Sequence, residues 1–74
     1  MITEVIKMSI REEVLKGLIV NAQGEIAKAK ANVEVYLDNP AGIGEHPDVL
    51  AAIQTELDKI CTNEERLDIL NKHF

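Results

Sequence analysis

The stretch that decides the fold runs from Asn32 to Asp48 and reads N-V-E-V-Y-L-D-N-P-A-G-I-G-E-H-P-D. Between Asp38 and Asp48 it gathers Asn39, Pro40, Gly42, Gly44 and Pro47, flanked by the two aspartates. Prolines and glycines punctuate regular structure, and no other part of the chain concentrates them in this way. Asn39 is pushed away from the helical region by Pro40, which also lacks a backbone donor, so a helix stops there. Pro47 suits the first turn of a new helix and Asp48 meets its dipole. Segments of helical periodicity lie on both sides. The stretch therefore reads as the bend of a helical hairpin, with Ile43 folding back over the helix ends.

On the N-terminal side, Ser9 and Glu12 have the spacing of a capping box. Glu12 and Glu13 add negative charge to the first turn. Beyond them Leu15, Ile19, Ala22, Ile26, Ala29, Val33 and Tyr36 recur in alternating steps of four and three, the signature of helix-on-helix packing. This predicts a helix over about 10–37, with the bend at 38–46. A second helix over about 47–72 carries Leu50, Ile53, Leu57, Ile60, Glu64, Leu67, Asn71 and Phe74, widened by Val49, Cys61 and Leu70. Glu64 interrupts this seam, yet no Gly or Pro follows, so the helix is expected to run on through Thr62. Asp48, Thr55, Asp58, Lys59, Thr62, Glu65 and Arg66 read as its wet face. Folding the arms about Gly42 and Ile43 sets Val33 against Ile53, Ala29 against Leu57, Ile26 against Ile60 and Ile19 against Leu67. Ala22 then falls opposite Glu64. The fold class is all-α: an antiparallel two-helix hairpin, pairing into a four-helix bundle. Residues 1–8 show neither period and read as a loosely held extension ahead of the single domain, 9–74.

The first helix has a second pattern. Gly17, Val20, Gly24, Ala27 and Ala31 form a ridge of small residues facing away from the seam. Glycine costs about 1 kcal/mol relative to alanine inside a helix. Two of them on one ridge suggest close approach of another subunit, against the simpler reading of a solvated back face.

Composition supports an oligomer. Seventy-four residues with 46% hydrophobic and 3% aromatic content suit aliphatic helix packing, but chains this short usually need a staple, a metal or a partner. One cysteine cannot form an internal disulfide, and Cys61 with His46 and His73 lacks zinc-ligand spacing. A homodimer or higher homo-oligomer is the expected source of the missing core. Net charge is −5, and all of the surplus lies beyond Leu37, which disfavours nucleic acid. No segment has the length of a membrane span and no signal peptide opens the chain, so a reducing cytoplasm is the expected setting.

Chemistry-bearing constellations are few. G-I-G-E-H-P lacks the lysine and spacing of a phosphate loop. Glu45, His46 and Asp48 offer the one conceivable metal or small-ligand site, although three neighbouring residues rarely converge on one ion. Cys61 has no histidine near it in a hairpin and reads as a small, half-buried hydrophobe. No cofactor is implied, and without an acid–base pair or metal cluster the chain is not expected to be an enzyme.

The run V-E-V-Y-L-D-N-P-A-G-I-G-E-H-P-D, followed by L-D-K-I and ending in L-N-K-H-F, resembles a family of small uncharacterised proteins of contractile-tailed phages, especially marine cyanophages, and of ocean metagenomes. The likeness covers Ser9 to Phe74, with N-P-A-G-I-G-E-H-P-D its most distinctive part, while Met1 to Lys7 departs from the usual start. It implies a phage origin and expression inside an infected bacterium, and brings no activity or site with it. The sequence thus supports a self-associating interaction or accessory module first, and a ligand-binding bend second.

Overall fold

Two long α-helices make up the computed structural model, which describes residues 9–38 and 48–74. Helix α1 spans Ile10–Asp38 and α2 spans Val49–His73. At 1.5 Å per residue they are roughly 44 Å and 38 Å long. The extension at 1–8 and most of the expected bend, 39–47, lie outside the described residues.

Local chemistry accounts for each observed boundary. The Ser9 hydroxyl accepts from the Glu12 backbone N–H at 3.1 Å, and the Ser9 carbonyl accepts from Glu13 N at 3.1 Å. One of four orphan donors is thereby satisfied by a side chain. Helix α1 ends at Asp38, immediately before Asn39-Pro40. At the start of α2 the Asp48 carboxylate accepts from Ala51 N at 2.8 Å. Lys72 and His73 lie in the last turn of α2, where cations complement the dipole. Helix α2 runs unbroken through Thr62, as the absence of Gly and Pro in that segment predicts.

The helices pack on each other along their length and run antiparallel. Arg11, near the start of α1, donates through Nη2 to the Phe74 backbone oxygen at 2.7 Å. Asn32, in the last third of α1, donates through Nδ2 to Glu56 Oε1 at 2.5 Å. The expected pairing of Val33 with Ile53 sets Asn32 opposite Gln54, whereas the observed bond joins it to Glu56, two residues on.

What fills the seam departs from the expectation. The buried hydrophobic residues are two alanines, Ala22 (2% exposed) and Ala29 (1%), one heptad apart on α1. Their partners in burial are polar: Glu56 and Asn63, one heptad apart on α2. The α2 seam therefore runs through Val49, Glu56, Asn63 and Leu70. That is one position ahead of the expected Leu50, Leu57, Glu64 and Asn71. Leu50 is 73% exposed, Leu57 45% and Ile19 38%, so these three do not form the core between the arms. Leu15, Ile26, Val33, Tyr36, Ile53, Ile60 and Leu67 are half-buried along its flanks. The reason is phase. A one-residue step turns a helix by about 100°, enough to move Leu50 and Leu57 off the seam and onto one face of the hairpin.

Candidate surface of the hairpin

A two-helix layer has two faces, and here they differ in kind. On one face Leu15, Ile19 and Gln23 of α1 line an open groove together with Glu64, Leu67 and Phe74 of α2. Helical spacing carries this face onward through Ile26 and Val33 on α1 and through Ile60, Leu57, Ile53 and Leu50 on α2. Its middle is chiefly aliphatic, and polar side chains border it: Lys16, Gln23 and Lys30 on α1, and Glu64, Glu65, Asp68 and Asn71 on α2.

The other face mixes polar and aliphatic side chains, with Leu18 and Ile69 both exposed there. A second groove there is lined by Leu18, Asn21 and Ala22 of α1 and by Asn63, Arg66 and Ile69 of α2. Farther along lies the Asn32–Glu56 hydrogen bond, and Lys59 Nζ reaches Glu56 Oε2 at 2.8 Å. The Lys59 hydrogen bond first, and the Asn32 amide second, hold the Glu56 carboxyl below its ordinary range against the opposing effect of burial. The Glu56 hydrogen bond correspondingly raises Lys59. Asn63 donates to the Lys59 carbonyl at 2.7 Å and accepts from Arg66 at a long 3.5 Å. No buried polar side-chain atom among the described residues lacks a partner, as the cost of an unpaired one requires.

The expected sites fare unequally against this geometry. Of the bend trio, Glu45 and His46 lie outside the described residues. Asp48 lies within them, and its carboxylate is the N-cap of α2. The ridge of Gly17, Val20, Gly24, Ala27 and Ala31 lies on the back of α1, exposed throughout. A Cβ added at Gly17 or Gly24 meets nothing within 4 Å, so the hairpin itself does not require glycine there. Cys61 is exposed, not half-buried. Lys59, expected on the wet face, is exposed but ion-paired to the buried Glu56. Ala22 shares its groove with Asn63 where Glu64 was expected.

Sequence reading missed the polar seam. The signal was available in the four-way heptad of Val49, Glu56, Asn63 and Leu70, which competes with the more hydrophobic phase beside it. Among the described residues no three His, Cys, Asp or Glu side chains gather as metal ligands, and no helix is long and apolar enough to cross a membrane. No family model, curated protein or solved structure matches the chain.

Proposed function

We propose that this chain is a non-enzymatic helical hairpin that self-associates into a four-helix bundle and acts as an interaction or accessory module. One observation carries the reading. A layer one helix thick buries no large aliphatic side chain fully among its described residues, while Leu50, Leu57 and Phe74 stand exposed. Globular domains bury such faces by packing a second layer on the first, and a second hairpin is the simplest second layer. A phage origin and a role inside an infected bacterium are part of the same proposal; they rest on the resemblance over Ser9 to Phe74. Sedimentation velocity at graded concentration tests the reading. A dimer or tetramer with cooperative, concentration-dependent melting supports it. A cooperatively folded monomer at micromolar concentration removes its basis.

A further inference from the structure

We infer that the aliphatic face, not the small-residue ridge, receives a second copy of this chain, and that each α1 lies over the partner's α2. The inference rests on the self-association just proposed and adds the face and the arrangement. One feature supports the face and a second the arrangement.

The first is where apolar surface lies. Leu50, Leu57 and Ile19 are exposed on the same face as the half-buried Ile26, Val33, Ile53, Ile60 and Leu67. The opposite face exposes fewer large aliphatic side chains, Leu18 and Ile69, and carries Glu25, Lys28, Lys59 and Arg66 beside them, while the ridge offers little more than Val20 and methyl groups.

The second feature is charge along the borders of the aliphatic face. The α1 border carries Lys16, Gln23 and Lys30; the α2 side carries Leu50, Leu57, Glu64 and Asn71, with Glu65 and Asp68 lining the same groove. Gln23 and Glu64 line opposite banks of one groove, at matching heights in the hairpin. Two arrangements bury the face symmetrically. A two-fold axis running across the helices sets α1 on α1 and brings Lys16 of one copy toward Lys30 of the other. A two-fold axis parallel to the helices sets α1 on α2, makes every neighbouring pair antiparallel, and places Gln23 against the partner's Glu64. The first apposes like charges and the second does not. An amide facing a carboxylate also supplies a donor for an acceptor.

Thiol cross-linking between full-length chains decides the matter. In a Cys61→Ser background, Gln23→Cys and Glu64→Cys chains carrying different tags are mixed and treated with a short bifunctional maleimide, with circular dichroism confirming helicity. Enrichment of the Gln23→Cys/Glu64→Cys product over both self-linked products is the expected result. Preferential self-linking of Gln23→Cys chains overturns the arrangement. Efficient self-linking of Gly24→Cys chains, with neither of the other products enriched, moves the interface to the ridge and overturns the face. Both of these outcomes leave self-association standing. A chain that sediments as a monomer at every concentration removes both proposals.

Discussion

Asn32 and Glu56 form the only side-chain-to-side-chain hydrogen bond that crosses from α1 to α2 among the described residues, with Lys59 closing on the same carboxylate. A buried acid at the seam fixes which residues of the two helices can face each other, because sliding either helix would separate the carboxylate from Asn32, its donor on the other helix. Polar groups at seam positions are best attested in this registering role.

Removing the charge at Glu56 should therefore make stability less dependent on pH. The Glu56 carboxyl titrates below its ordinary 4.5 in the folded chain. Its contribution is then fully present above that value and is lost as pH falls through the lower folded value. Glu56→Gln should melt below wild type at pH 7, and the gap should close in acid. Lys59 titrates above its ordinary 10.5, so the same pair weakens again as pH rises through that higher value. Melting curves of both proteins from pH 2 to neutrality check the acid limb. A gap that stays constant across that range would show that Glu56 contributes only its shape.

Ala22 and Ala29 are the two hydrophobic residues buried between the helices, together with Glu56 and Asn63 of α2, and a larger side chain has no open space there. Ala29→Leu should cost about 1–3 kcal/mol, because the added atoms must force the helices apart. Ala51→Leu, on an exposed position of α2, should stay within roughly 0.5 kcal/mol. Chemical denaturation of the two variants measures the contrast, and equal costs would place the seam elsewhere.

The hairpin was legible because its signals are local. Ser9 at one end, Asn39-Pro40 after α1 and Pro47-Asp48 before α2 each act through their own backbone, and the observed boundaries fall within two residues of them. The phase of α2 was not legible. Hydrophobic periodicity adds together everything a helix buries or would bury, so Leu50 and Leu57 pulled the expected seam onto the open face. Glu56 and Asn63, which do sit in the seam, look like surface residues until their partners are known. Lys59 stands at helical ion-pair spacing from Glu56, but Asn32 is 24 residues away and no spacing rule links it to that carboxylate.

Asp48 should behave as a cap and not as a ligand. Asp48→Ala should destabilise α2 by about 1 kcal/mol, while Asp48→Asn should retain most of the stability, since either side chain accepts from Ala51 N. Adding divalent cations should leave the melting temperature of wild type and both variants unchanged. A cation-dependent rise in wild type that disappears in Asp48→Asn would revive the ligand reading of the bend.

Gly24→Leu and Leu57→Gln probe opposite sides of the same hairpin, and their signs separate the ridge from the aliphatic face. Nothing lies within 4 Å of a Cβ at Gly24, and leucine is the better helix former by roughly 0.8 kcal/mol. With the ridge uncovered, Gly24→Leu should raise the melting temperature and leave the association constant unchanged. With a second backbone against the ridge, the same side chain would push that helix away and weaken association despite the gain in helix propensity. Leu57→Gln works the other way. On an isolated hairpin Leu57 is already 45% exposed, so its loss should change little. Covered by a second copy, it loses a buried aliphatic anchor and sets a polar amide in its place. Association should then weaken by about 1–3 kcal/mol, in line with the cost of burying an amide with no compensating hydrogen bond. Sedimentation equilibrium on the two variants side by side gives the answer. The expected pattern is a weakened Leu57→Gln and an intact Gly24→Leu; the reverse pattern would assign the interface to the ridge.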